Sequence, residues 1–443
     1  MTGLYFIAYG VLNLICMNPL VYGRITHWIK LFAVTGSTQI IIQIAGIASS
    51  IFIIRRLSIS EYAYYTIANT VLGTMTLLSD GGISNGVMAQ GGKKWQNRDE
   101  LGVVLVTGLK LRKEFALITL LVSIPILFYL LLNQKASWVT CFLIASALIP
   151  AFIANLSDSL LEVVPRLHQN IKPLQSNQFL VAVGRFSLNI ISLSIFPLAF
   201  IGLYANGIPR IFGNFKLKKI TKNFANLDQL PSVIDRQAII AITKKILPLT
   251  IFICFSSQIT LWVLSIFGDT ASIAQIGALG RLTIIIGFIS TILSILIFPR
   301  FARIQSGERK RIIKFFTLLQ ISLILLSGMI VFSAWILSPY ILSILGQEYM
   351  NLSKEFMLSI VASCLVLLES TTGSLLNSRG WVFNPFVTIL INISSLIASI
   401  YLFNLTTLIG LLKYNILMNS FFYFVLLIFA YISLNKPENQ SSS

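Results

Sequence analysis

Apolar residues in this chain gather in runs of about twenty, separated by short stretches of charge, glycine and proline. A run of that length lets a helix cross the roughly 30 Å hydrocarbon core of a bilayer. Twelve spans are predicted, at about 31–54, 62–88, 115–132, 138–158, 174–194, 196–213, 246–267, 271–298, 315–337, 355–377, 382–403 and 406–434. Spans five and six turn at Phe196-Pro197 with almost no loop. The longest polar segment, 214–245, divides the twelve six and six. Ahead of them, Gly3–Met17 is a shorter apolar run without the basic flank of a signal peptide. For residues 1–28 the expectation is a peripheral extension, or a segment preceding a true start at Met17. The polar tail 435–443 is expected to be disordered.

Composition agrees with a membrane protein. Charged residues are only 11% of the chain, against about 25% in soluble domains. The net charge of +18 is spread over short loops, not gathered on the single soluble face that nucleic acid requires. Its distribution sets the topology. With the N-terminus cytoplasmic, 26 of the 33 Lys/Arg fall in inner segments, counting span ends, and four (Arg55, Arg56, Lys135, Lys354) fall in outer loops. The positive-inside rule therefore predicts both termini in the cytoplasm. The four cysteines are isolated within apolar stretches and there are only two histidines, so neither a disulfide frame nor a zinc site is indicated.

Segment 63–70 in span two sets weakly against 274–281 in span eight, and the order of spans and loops repeats as well. The architecture expected is all-α: two six-helix lobes related by an axis along the membrane normal, with a site between them. The domains are then 29–213 (first lobe), 214–245 (cytoplasmic linker) and 246–434 (second lobe).

Five ionisable residues lie inside spans: Asp80, Arg185, Arg281, Glu369 and Lys413. A charge at bilayer depth costs roughly 2.5–3.5 kcal/mol on insertion scales and is kept where it faces protein or water. Three of the five are cationic, which points to anionic cargo. Arg281 has Gly277 and Gly280 beside it, and guanidinium pairs with carboxylate or phosphate in two-pronged fashion. It reads as a substrate contact, the other reading being a partner such as Asp80 or Glu369. Asp80, set near the midplane before Gly81 and Gly82, reads as a cavity-lining or ion-coupling carboxylate. Its other reading is a packing notch, with Gly82 and Gly86 admitting a neighbouring helix. Arg185, Glu369 and Lys413 have mixed signs and suit mutual pairing, while Arg185 and Lys413 are also candidate cavity cations. Glu369 is a second coupling candidate, because desolvation favours the protonated carboxyl. Asp158 and Glu162 read as interfacial. Gly86 and Gly91 have the spacing of a phosphate-binding loop, but Gly92 and Lys94 stand where its Lys and Ser/Thr are required. No catalytic arrangement appears outside the spans, and the largest outer loop, 338–354, is too short to hold a glycosyl donor and acceptor.

Four segments carry a family resemblance: Arg55-Arg-Leu-Ser-Ile-Ser-Glu-Tyr-Ala-Tyr-Tyr65, Gly91-Gly-Lys-Lys-Trp95, Gly277-Ala-Leu-Gly-Arg-Leu282 and Pro299-Arg-Phe-Ala-Arg303. Over about 29–434 the chain resembles the polysaccharide repeat-unit (Wzx-type) flippases of the multidrug/oligosaccharidyl-lipid/polysaccharide (MOP) exporter superfamily. The resemblance implies a MATE-like fold and a V-shaped cavity opening alternately to the two sides of the bacterial inner membrane. It implies transport, not catalysis, of an undecaprenyl-pyrophosphate-linked oligosaccharide for O-antigen, capsule or exopolysaccharide synthesis. No cofactor is implied beyond H⁺ or Na⁺ exchange. Membrane lipids, a polysaccharide polymerase and a chain-length regulator are the implied partners. Related lipid II flippases carry a span-eight arginine that Arg281 matches, but Ile40–Ile54 lacks the arginines they carry on span one. A drug/cation antiporter or a lipid II flippase on the same fold is the alternative, and the surplus of interior cations weighs against the antiporter.

Overall fold

The computed structural model describes residues 41–435 apart from 169, 299–300, 302–303, 305–307, 380 and 382–384. The expectations for 1–28 and for the tail beyond 435 lie outside the described residues. What is described is helical, with no strand. In chain order the helices are α1 (41–56), α2 (Ile59–Asp80), α3 (Ile83–Lys94), α4 (Arg98–Asn133), α5 (Trp138–Leu167), α6 (Ile171–Ile195) and α7 (Ala199–Lys222). They continue as α8 (Val233–Phe267), α9 (Thr270–Leu296), α10 (Arg309–Leu345), α11 (Ser353–Ser378), α12 (Pro385–Leu402) and α13 (Leu408–Asn435). Over their described residues the twelve predicted spans coincide with these helices, span two being divided between α2 and α3. This is an all-α, multi-pass membrane fold. Among the described residues seven helices, α4, α5, α6, α9, α10, α11 and α13, are long and apolar enough to cross a membrane by themselves. Helices α2 and α7 carry more polar residues, because they supply the walls of an internal cavity.

The division of span two has a local cause. Gly81 and Gly82 have φ of 49° and 98°, a left-handed conformation that glycine adopts without steric cost. Helix α2 therefore stops at Asp80. Its 22 residues extend about 33 Å, which is membrane thickness without α3. Asp80 thus ends α2 and does not lie within one continuous helix over span two. The two glycines also admit α8, since a Cβ on Gly82 would lie 2.8 Å from Ile246 and one on Gly86 would lie 2.9 Å from Ile239. The helix notch expected from Gly82 and Gly86 is present.

Most helices on either side of the connection 223–232 pack with their own group, α5 and α6 with α7, and α11 with α9, α10 and α13, whereas α8 packs mainly against α2, α3 and α4. The groups meet where α2, α3 and α4 face α8 and α9. One apolar core fills the membrane-depth region, including Ile67, Phe152, Ala278 and Phe356. A second lies where α3, the start of α4 and the start of α8 bury Val87, Leu105 and Ile239 together. The segment 214–245 is mostly helical, because α7 runs to Lys222 and α8 begins at Val233. Its non-helical part is fastened to α4. Asn226 and Gln229 donate to the Asp99 carboxylate at 2.8 and 3.0 Å, and these bonds hold Asp99 below the usual carboxylate range.

Candidate functional site

Two chambers open inside the bundle and share Asn69, Arg281 and Ile284. The first, about 390 Å³, lies among α1, α2, α5, α6 and α7. The second, about 650 Å³, lies among α2, α8, α9, α11, α12 and α13. Arg281, on α9, stands at the divide and interacts with Tyr62 and Tyr65 of α2. Its neighbouring glycines differ in effect. A Cβ on Gly277 would come within 2.4 Å of Thr66, so this glycine lets α9 close on α2, whereas Gly280 has open space beside it.

The first chamber is cationic. Arg185, Arg210 and Arg281 line it, with Tyr65, Asn69 and Asn206 between them. Arg185 donates from Nε to the Asn206 carbonyl at 3.0 Å. Asn206 is itself held, its Nδ2 donating to the Tyr65 hydroxyl at 2.8 Å and its Oδ1 accepting from Asn189 at 3.1 Å. Arg210 donates from Nε to Asp158 Oδ2 at 2.8 Å, and Asp158 Oδ1 accepts from Asn214 at 2.6 Å. Both arginines are thus fixed through Nε. Among the described residues their terminal nitrogens hydrogen-bond to no protein group, which leaves the planar fork that suits oxyanions.

The second chamber is close to neutral and rich in amides. Asn69, Asn392, Asn415 and Asn419 line it with Ser359 and Ser363, and the half-buried Glu369 is its carboxylate. Glu369 makes no ion pair with any described residue.

The five residues singled out in the sequence therefore separate. Arg281 and Arg185 share the first chamber, and Glu369 lies in the second with Arg281. The expected pairing of Arg185, Glu369 and Lys413 does not form. Lys413 is exposed on α13, five residues after that helix begins at Leu408, and lines neither chamber. So near a helix end, a lysine reaches the headgroups along its own alkyl stem. Asp80 lines neither chamber. It pairs with Arg112 of α4 at 3.3 Å and accepts from the Ser84 hydroxyl at 2.5 Å. Arg112 is almost wholly buried and also donates to Ser159. Asp80 is thus bonded to a neighbouring helix, as its other reading had it, and is not the partner of Arg281.

Sequence reasoning missed Arg112 and Arg210, both counted as inner-segment charges. A signal for Arg112 was present. Val104, Gly108, Arg112 and Ala116 recur every four residues on the buried side of α4, so Arg112 falls on an inward stripe. Asp158, read as interfacial, instead anchors an arginine of the chamber wall.

No family model matches the chain, and no curated protein matches it. Solved structures do. An inward-facing multidrug-resistance MATE transporter of the MOP superfamily superposes with a TM-score of 0.68 at 10% identity, over 89% of this chain and 96% of that one. The lipid II flippase MurJ in an inward closed conformation gives 0.70 at 13%, over 92% and 87%. A MOP-superfamily transporter from Pyrococcus furiosus, described as having a binding pocket of reversed polarity, gives 0.57 at 12%, over 90% and 94%. The fold is that of MOP-superfamily transporters.

Proposed function

We propose that this protein is an alternating-access flippase. Its cargo is a lipid-linked oligosaccharide carrying a diphosphate, of the undecaprenyl-pyrophosphate class, moved from the inner to the outer leaflet of a bacterial inner membrane. The observation that carries this reading is the first chamber, where Arg185 and Arg210 are anchored through Nε and present their remaining donors beside Arg281. With Asp158 offsetting Arg210, the wall keeps an excess of positive charge. A pump for cationic drugs needs the opposite sign. In the second chamber, amides and hydroxyls match the alternating donors and acceptors of sugar hydroxyls. Glu369 is the candidate for H⁺ or Na⁺ coupling, since it faces this chamber without a cationic partner among the described residues. The first lobe, 29–213, and the second, 246–434, rock about the α2–α9 contact, with both termini cytoplasmic as the loop charges require. The similarity to MurJ is compatible with this reading, and so is a MATE-type antiporter on the same fold.

Deletion of the gene separates the two. A flippase predicts lipid-linked oligosaccharide accumulating in the inner leaflet, with surface polysaccharide lost. Unchanged lipid-linked pools together with altered drug resistance would sink the flippase reading.

A further inference from the structure

The two chambers offer opposite ends of the hydrogen bond. In the first, the forks of Arg185 and Arg210 present donors. In the second, four wall side chains turn a donor back into their own helices. The Thr66 and Ser363 hydroxyls donate to the carbonyls of Tyr62 and Ser359, each at 2.8 Å. Asn69 and Asn392 donate through Nδ2 to the carbonyls of Tyr65 and Thr388, at 2.9 and 2.8 Å. A hydroxyl has one proton to give, so Thr66 and Ser363 keep only lone pairs for the chamber. Each of the two amides keeps its Oδ1 and a single N–H. An ionised Glu369 adds two more acceptor oxygens to the same wall.

Charge runs in the same direction. Among the described residues Arg281 is the only cation lining the second chamber, and it stands at the divide, where it also lines the first. On the proposed function the diphosphate occupies the cationic side, and the glycan is left with the chamber of about 650 Å³. A sugar hydroxyl can donate to this wall. A carboxylate cannot, because it only accepts. Brought in from water it meets lone pairs without a cation, and a buried charge lacking a partner keeps its whole desolvation cost. Protonating Glu369 removes a repulsion but supplies no cation, so the disadvantage lasts through a coupling cycle.

We infer that the second chamber selects its glycan by charge, admitting uncharged, hydroxyl-bearing sugars and rejecting a sugar that bears a carboxylate. Glu369, Ser363 and Asn392 set this preference. The inference rests on the flippase reading and adds to it the class of glycan carried.

The test measures binding of three short-chain prenyl diphosphates to the full chain in nanodiscs. One is capped with a methyl group, one carries a disaccharide ending in glucose, and one carries the same disaccharide ending in glucuronate. The two glycolipids differ only at C6 of the last sugar, a hydroxymethyl group against a carboxylate. The glucosyl form is expected to bind at least about tenfold more tightly than the glucuronyl form, and more tightly than the methyl-capped diphosphate. Glu369→Lys, with its folding checked by melting temperature, should bring the two glycolipids within about twofold or reverse their order. The wild-type comparison decides by itself if that variant does not fold. Equal binding of the two glycolipids, both tighter than the methyl-capped probe, would overturn the inference and leave the flippase reading standing. A glucosyl form no tighter than the methyl-capped probe would also overturn it, because the sugars would then not reach the second chamber. An unchanged preference in folded Glu369→Lys would overturn the assignment to chamber charge. Failure of all three probes to bind would remove the flippase reading, and the inference with it.

Discussion

The two chambers share Arg281 and differ in almost everything else. In the first, arginine side chains on α6 and α7 are tied back through Nε by a backbone carbonyl and a carboxylate, so their free donors face inward. In the second, a carboxylate stands among four asparagines without an ion pair to any described residue. On the proposed function, the difference gives one cavity two tasks. Fixed, forked cations recognise an oxyanion with little reorganisation, whereas an unpaired carboxylate can exchange a proton or Na⁺ without breaking a salt bridge first. Arg281 at the divide is placed to sense both.

Removing the shared residue gives the largest expected effect. Arg281→Ala deletes a charge-assisted contact worth about 1.5–3 kcal/mol, so export should fall at least about tenfold, to background if the contact forms mainly during translocation. The measurement is surface polysaccharide in a complemented deletion strain, with membrane abundance of the variant as control. Wild-type export would refute the role given to Arg281.

The separation of tasks is sharpened by a crossed pair. Arg185→Gln should weaken binding of a short-chain prenyl diphosphate by about tenfold while transport in proteoliposomes keeps its dependence on the ion gradient. Glu369→Gln should do the reverse, leaving diphosphate affinity within about twofold of wild type while abolishing gradient dependence. If both variants lose both properties, the chambers act as one site and the comparison fails.

Asp80→Asn tests a residue that the structure has moved out of the cavity. The substitution keeps an acceptor for Ser84 but leaves the buried Arg112 without its carboxylate. A stability loss of about 1–3 kcal/mol is expected, seen as a lower melting temperature in detergent, with gradient dependence retained. Loss of gradient dependence at unchanged melting temperature would return Asp80 to a coupling role.

The fold was legible in the sequence because span length and loop charge are set by the bilayer, which acts on every helix alike. All twelve predicted spans coincide with helices over their described residues, and the division of span two was marked by Gly81 and Gly82. The site was only half legible. Arg185, Arg281 and Glu369 stood out as charges amid apolar residues. Arg112 and Arg210 did not, because other basic residues lie close to them along the chain and a linear reading takes all of them as one cytoplasmic set. Their inward placement depends on helical phase and on Asp80 and Asp158, which come from other helices. For Asp80 the linear reading misled in another way, since it took span two as one straight helix where the chain breaks at Gly81 and Gly82.

Lys413 gives the smallest expected effect and limits how far charge alone can be read as function. It was a candidate cavity cation by the same criterion as Arg185, yet its side chain is exposed near the start of α13. An ammonium there keeps its hydration by reaching into the headgroups, so removing it relieves no buried charge and breaks no pair. Lys413→Gln should therefore leave export and diphosphate affinity within about twofold of wild type, close to the small effect usual for exposed charges. A tenfold loss of diphosphate affinity, with normal membrane abundance, would place Lys413 on the transport path in another state of the cycle. The positive charge of the first chamber would then be only part of what the cargo meets.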